Sequence, residues 1–187
     1  IKNNPRATLG LATGSSPINM YRELIRMCGV GEISFRDIHT VNLDEYIGLS
    51  PDHDQSYAYF MNDNLFSHVD IDKRNTNLPS GLAEDPAAEC KRYDGVIDSM
   101  GGVDIQLLGI GNNAHIGFNE PADEFTSGSF KVQLTESTIN ANKIYFDENP
   151  MPGYALTMGI KQIMSAKKIV LIATGPKKAE AIKNMIK

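Results

Sequence analysis

Cysteine is scarce in this 187-residue chain: Cys28 and Cys90 stand far apart, and neither has a second Cys or a His at metal-ligand spacing. That speaks against a disulfide framework and a metal site, and both residues read as reduced cytosolic thiols. Long apolar runs are missing as well. No stretch reaches the roughly 20 residues that a membrane-spanning helix needs, and Ile1 to Pro5 lacks the charged-then-apolar layout of a secretion signal. The expected location is therefore cytoplasmic. Positive charge is in deficit, with 18 Lys plus Arg against 23 Asp plus Glu and a formal net charge of -5. Without a long basic run, neither nucleic acid nor an anionic membrane is an expected partner. Internal repeats and low-complexity linkers are absent too. The chain opens on Ile and stops inside a helical pattern at Ala181 to Lys187, which reads as a piece of a longer protein.

What is present is ordinary globular composition, 41% apolar and 22% charged, in a length that predicts one domain over residues 1–187. Short apolar runs alternate with amphipathic stretches. That pattern predicts an α/β fold, a mostly parallel central sheet covered by helices on both faces. Ala7 to Ala12, Ile38 to Leu43, Ile105 to Ile110 and Lys168 to Ala173 are compact and rich in Ile, Val and Leu, as central strands buried on both faces should be. Pro17 to Cys28 sets Ile18, Tyr21, Leu24, Ile25 and Cys28 on one helical face. Asp85-Pro86 supplies a cap and a first-turn proline for a helix carrying Tyr93, Val96, Ile97 and Met100. Ser56 to Phe66 and Pro176 to Ile186 are further helix candidates, with Ser56 as the cap of the first. Residues 123–152 break the regularity: they are polar, contain Gly128, Pro150 and Pro152, and alternate only at Phe130, Val132 and Leu134. At roughly 30 residues this segment exceeds ordinary connections and reads as a lid or a surface excursion.

Polar clusters fall at the predicted carboxyl ends of these strands, where open α/β sheets bind ligands. Thr13-Gly14-Ser15-Ser16-Pro17 leads from a strand through glycine and hydroxyls into a helix, a layout that suits a phosphate or, equally, a serine-capped turn. Thr174-Gly175-Pro176-Lys177-Lys178 repeats that layout, and its two lysines oppose a helix dipole unless an anion sits among them. Leu108 to Pro121 is dense in polar groups. Its glycines, Gly109 and Gly111 among them, do not open an amphipathic helix, so a dinucleotide site is discounted. Within it, Glu120 follows His115 by five residues, which fits an imidazole whose tautomer is fixed by a carboxylate or a histidine with a structural role. Asp44 and Glu45 end the second strand as a base or as caps of the next turn.

Taken together, the segments ATGSSP, VNLDEYIGL, LGIGNNAHIGFNEP and ATGPKKA resemble the motif set of the glucosamine-6-phosphate deaminases, in that order and at similar spacings. The likeness runs from Leu9 through Lys178. It implies a Rossmann-like three-layer α/β sandwich with a lid at about 123–152, converting glucosamine 6-phosphate and water to fructose 6-phosphate and ammonium without cofactor or metal. It implies that Asp44 moves a proton between C2 and C1, that His115 opens the sugar ring, and that Asn113 and Glu120 orient it. Thr13, Gly14, Ser15, Ser16, Gly111 and Lys178 become the substrate-binding set, with Lys143 from the lid. The family's chains are longer at both ends, so a leading strand with its helix and a trailing segment are expected to be missing here.

One departure stands out. Family lids carry an arginine two residues after an Ala-Asn pair, and here Ala141-Asn142 is followed by Lys143 and then Ile144 in the arginine's place. A lysine does not reproduce the bidentate grip of a guanidinium on phosphate. Three readings stay open: the deaminase, another sugar-phosphate isomerase or lactonase on the same fold, and a module that senses a sugar phosphate without turnover. The expected partner is a small phosphorylated amino sugar, and assembly into a homo-oligomer stays open.

Overall fold

The computed structural model describes residues 1–143, 146 and 150–186, the side chains of Ser137 and Ala141 excepted. Five parallel strands form the main sheet in the order β4-β2-β1-β5-β8: β1 (Thr8–Leu11), β2 (His39–Asn42), β4 (Thr76–Asn77), β5 (Ile105–Leu108) and β8 (Ile169–Leu171). The four expected strands are present. Three of them are central, whereas β8 lies at the edge of the described sheet and leaves Val170 40% exposed. The chain moves outward from β1 to β2 and β4, then returns past β1 to β5. Helix α1 (Ile18–Gly29) makes the outward crossing and α3 (Pro86–Ser99) the return. Right-handed crossovers in opposite directions put the two helices on opposite faces, and the reversal opens a crevice between the carboxyl ends of β1 and β5.

Local chemistry explains the helix boundaries. Asp85 accepts hydrogen bonds from the amides of Ala87 and Ala88 at 2.9 and 3.2 Å, with Pro86 in the first turn of α3. Ser56 accepts from Tyr59 N at 3.0 Å and starts α2 (Tyr57–Met61), which runs into a π-helical segment at Asn62–Phe66. The expected helix from Pro176 is one 3-10 turn, Pro176–Lys178, followed by α6 (Ala179–Ile186).

Residues 123–152 are more regular than the sequence suggests. They contain β6 (Phe130–Gln133), where the Phe130 and Val132 alternation lies, and α4 (Glu136–Asn142). Strand β6 pairs antiparallel with β7 (Tyr154–Thr157), and β7 with β3 (Asp44–Tyr46), giving a second sheet in the order β3-β7-β6. A short helix, α5 (Ile160–Met164), follows β7. The two sheets have separate apolar clusters: Tyr21, Phe35, Ile38, Val41 and Tyr93 are fully buried in the first, and Tyr46, Phe118, Leu134, Phe146 and Ala155 form the second.

Two tyrosines from the covering helices finish the central strands at the crevice. Tyr21 on α1 donates its hydroxyl to Ala12 O at 2.6 Å and accepts from Ala12 N at 3.2 Å. Tyr93 on α3 does the same at Asn42, at 2.6 and 2.9 Å. Both rings have zero exposure, so the main chain that leaves the strands is tied down where no water reaches it. Tyr93→Phe should cost about 1 to 3 kcal/mol, since it leaves a buried N–H and C=O short of a partner. Urea unfolding measures this, and a loss below about half a kcal/mol would mean that the strand end relaxes to find other partners.

Candidate active site

Because the main sheet is parallel, the segments that leave β1, β2, β5 and β8 all emerge along one edge. That edge gathers the sequence clusters. After β1, Gly14 and Ser15 are exposed and α1 starts at Ile18 with no side-chain cap from Pro17, so the serine-cap alternative does not hold. Uncapped first-turn amides beside exposed hydroxyls form a surface that can hold an anion. After β8, Gly175 adopts φ 82° and leads into the 3-10 turn, where Lys177 is exposed and Lys178 half-buried. Burial lowers the Lys178 pKa. Lys143 is exposed at the carboxyl end of α4, and Ile144 lies outside the described residues.

The two acids after β2 divide their work by their partners. The Glu45 carboxylate accepts from Tyr46 N and Tyr57 N at 2.9 and 3.0 Å through Oε1, and from Ala58 N at 2.9 Å through Oε2. It ties β3 to the first turn of α2, next to the Ser56 cap. Burial pushes its pKa up while these three amides pull it down. Asp44 takes none of those donors. It is 6% exposed, and burial together with the neighbouring Glu45 charge pushes its carboxyl up to about 8. Of the pair, the carboxylate with amide partners is suited to holding a charge and the one without to being neutral or exchanging a proton.

The loop after β5 holds a second proton-exchanging group. His115 Nδ1 lies 2.7 Å from Asn113 Oδ1, and Asn113 Nδ2 donates to Glu120 Oε2 at 2.5 Å. An ionised carboxylate only accepts, so Glu120 turns the Asn113 amide with its nitrogen outward and its oxygen toward the ring. Nδ1 must then carry the hydrogen, and Nε2 is left as the basic atom. Burial lowers the His115 pKa, the Glu120 charge raises it and the Lys178 charge lowers it, which places Lys178 close by. Gly111 backs the imidazole: a Cβ there would overlap the ring. Ala114, at φ 70°, holds the left-handed backbone that lets the loop turn between Asn113 and His115.

One glycine joins the two groups. A Cβ on Gly117 would stand 2.9 Å from Thr157 Oγ1 and 3.3 Å from Asp44 Oδ2, and φ is 58° there, so the His115 loop crosses directly over the Asp44 carboxyl. Sequence reasoning did not single out Gly117, Thr157 or Tyr57. The Tyr57 hydroxyl lies 3.3 Å from Tyr46 Oη, and Thr13 and Asp44 are near enough to act on it. Also unforeseen are Thr135 and Thr138, whose hydroxyls reach Glu120 Oε1 at 3.2 and 3.1 Å. The spacing Thr135-x-x-Thr138 at a helix start was the available signal, since Thr135 caps α4 by accepting from Thr138 N at 3.2 Å. Among the described residues, no group of three His, Cys, Asp or Glu side chains is placed to hold a metal ion, and no helix is long and apolar enough to cross a membrane.

The raised Asp44 pKa makes a stability prediction with a definite sign. The unfolded chain ionises this carboxyl near pH 4 and the folded chain near 8, so ionisation favours unfolding increasingly across that window. Asp44→Asn removes the term. It should therefore stabilise the protein, by little at pH 4 and by an amount that grows up to about pH 8. Thermal melting of both proteins over that range checks it, and a pH-independent difference would show that Asp44 ionises normally in the folded state.

Comparison with known proteins gives one answer. The family described as glucosamine-6-phosphate isomerases/6-phosphogluconolactonase matches residues 1–187. A Clostridium perfringens protein named glucosamine-6-phosphate deaminase is 56% identical over 187 residues, covering 100% of this chain and 77% of its own. One from Thermoanaerobacter with the same name is 55% identical over 188 residues, covering 100% and 74%. Among solved structures, a monomeric glucosamine-6-phosphate deaminase superposes with a TM-score of 0.94 at 50% identity, over 100% of this chain and 78% of that one. With its motifs, its sheet and its crevice all in agreement, the chain belongs to the glucosamine-6-phosphate isomerase/6-phosphogluconolactonase family.

Proposed function

We propose that this protein is a glucosamine-6-phosphate deaminase, releasing fructose 6-phosphate and ammonium from glucosamine 6-phosphate and water. The observation that carries the reading is the approach of the Asp44 carboxyl to the His115 loop across Gly117, in a chain half or more identical to proteins of that name. The reading covers residues 1–187 as one catalytic domain with residues 123–152 as its lid. The sugar phosphate sits among Thr13, Gly14, Ser15, Ser16 and Lys178, with Gly111 lining the site and Lys143 on the lid.

The chemistry follows from the protonation states. His115 Nε2, the unprotonated ring nitrogen, takes the proton of the C1 hydroxyl and returns it to the ring oxygen as the C1–O5 bond breaks, with Asn113 and Glu120 holding the ring. Asp44 then takes the proton from C2 and delivers it to C1. The pair of the C2–H bond forms the C1–C2 double bond as the C1 oxygen takes a proton from the C2 ammonium. That pair then binds the returned proton at C1 while the nitrogen lone pair closes an imine at C2, to which water adds and from which ammonia leaves. No electron acceptor is consumed at any step.

A base whose pKa lies near 8 is mostly protonated at pH 7, and the substrate corrects this. The ammonium on C2 is the atom neighbouring the proton to be removed, so a cation arrives beside Asp44 and favours the carboxylate. The base becomes mostly charged when an amino sugar is bound. Accordingly, binding of 2-amino-2-deoxyglucitol 6-phosphate at pH 7 should release a proton from the protein, while glucitol 6-phosphate should release none. Calorimetry in buffers of different ionisation heat measures this. Equal proton release by both ligands would place the titrating group away from C2.

Direct assay of ammonium and fructose 6-phosphate from glucosamine 6-phosphate tests the activity. Asp44→Asn should lower turnover by roughly 100 to 10,000-fold while the amino sugar alcohol phosphate still binds. Near-normal turnover in that variant would remove Asp44 from the mechanism. Binding of the sugar phosphate with no ammonium released by the unaltered protein would favour a sensing module.

A further inference from the structure

We propose that Thr138, assisted by Thr135, is a positioning residue for His115: its hydroxyl fixes Glu120, and through Glu120 and Asn113 the seating of helix α4 sets the imidazole in its working tautomer. The inference rests on the deaminase reading and adds residues that the reading does not use.

The geometry is a continuous chain of donors. Thr138 Oγ1 donates to Glu120 Oε1 at 3.1 Å, Asn113 Nδ2 donates to Glu120 Oε2 at 2.5 Å, and Asn113 Oδ1 meets His115 Nδ1 at 2.7 Å. The single hydroxyl hydrogen of Thr135 is shared between Glu120 Oε1 at 3.2 Å and Thr138 Oγ1 at 3.0 Å. Thr138 is only 6% exposed, so water does not readily replace its hydroxyl. A threonine inside a helix usually bonds back to a carbonyl of the preceding turn. Here the hydroxyl of Thr138 reaches out to a carboxylate on another loop, and the capping of α4 is performed by Thr135 alone. Among the described residues, the three donors to the Glu120 carboxylate are neutral amide and hydroxyl groups, none of them a cation.

Helix α4 is held to the site at its other end as well. Asn142 Nδ2 donates to Tyr46 Oη at 3.3 Å, two residues beyond Asp44, and Ile139 packs on the cluster of Tyr46, Phe118, Leu134 and Phe146. Because α4 belongs to residues 123–152, the segment read as the lid, its docking and the orientation of His115 are mechanically one event. Two charges act on the ring: Glu120 from its own loop and Lys178 from the turn after β8, with Asp44 across Gly117 on β3.

The test compares Thr138→Val, which keeps the shape and removes the hydroxyl, with Thr138→Ser, which keeps the hydroxyl. The valine variant should lose turnover roughly tenfold with KM for glucosamine 6-phosphate within about twofold, because the ring is misplaced while the sugar contacts stay. Its His115 pKa, followed by NMR and assigned against His115→Gln, should fall, since the Glu120 charge that raises it is loosened while the Lys178 charge that lowers it remains. The serine variant should restore both. Should valine fail to fold, Thr138→Ala is read against serine with the same titration. Equal losses in valine and serine, or lost turnover with an unmoved His115 titration, would overturn the proposal and leave Thr138 a packing residue. The titration needs no turnover, so an unaltered protein that binds but does not deaminate would sink the deaminase reading without deciding the relay.

Discussion

The buried carboxylate of Glu45 is the constraint on which the site depends. It gathers three main-chain amides, one from its own strand and two from the first turn of α2, and so joins β3 to that helix without water between them. Removing it would leave the buried Tyr46 N–H without this partner, a loss of about 1 to 3 kcal/mol, and two half-buried N–H groups of α2 as well. Its effect on Asp44 follows from alternation along a strand, since consecutive side chains point to opposite faces. With Glu45 committed to α2, Asp44 is turned the other way, toward Gly117 and the His115 loop. The first carboxylate holds the fold; the second, raised by burial, is left to exchange a proton.

Burial then moves the two exchanging groups in opposite directions. It pushes Asp44 up to about 8 and lowers His115, and in both cases it favours the uncharged form. A site built from a neutral acid and a neutral base avoids the several kcal/mol that each unpaired buried charge would cost. In the reading proposed, charge enters with the ligand, as phosphate at the start of α1 and beside Lys178, and as ammonium beside Asp44.

The legible parts of the sequence were those governed by local rules. Strands β1, β2 and β5 lie within short segments carrying buried Leu, Ile and Val, and that pattern does not depend on what they meet. The caps at Ser56 and Asp85 are likewise local, because the acceptor lies two or three residues from its donor. Strand β3 was not legible: Asp44-Glu45-Tyr46 carries two acids and is a strand only because β7 pairs with it. The same holds for β6, whose alternation was visible but whose partner, β7, lies about 20 residues on, just past the segment that reads as irregular. Edge placement of β8 also needed the sheet order, which apolar content alone does not give.

The candidate site divides along the same line. Asp44, Asn113, His115 and Glu120 were found because strand ends concentrate polar residues within a few positions of one another. Gly117 was inside one of those clusters and passed unnoticed, since its reason, a close approach to Asp44, exists only across the two sheets. Thr135 and Thr138 stand 15 and 18 residues from Glu120, on a helix whose start was not foreseen. Their case shows why residues 123–152 are hard to read from sequence. Leu134, Ile139 and Phe146 of this segment join the second apolar cluster, but the polar bonds of Thr135 and Thr138 are made with a carboxylate on another loop. The segment's polar residues therefore look like solvated sequence until the His115 loop is placed against them, and the hydroxyls that by spacing merely cap a helix prove to complete the shell around a carboxylate.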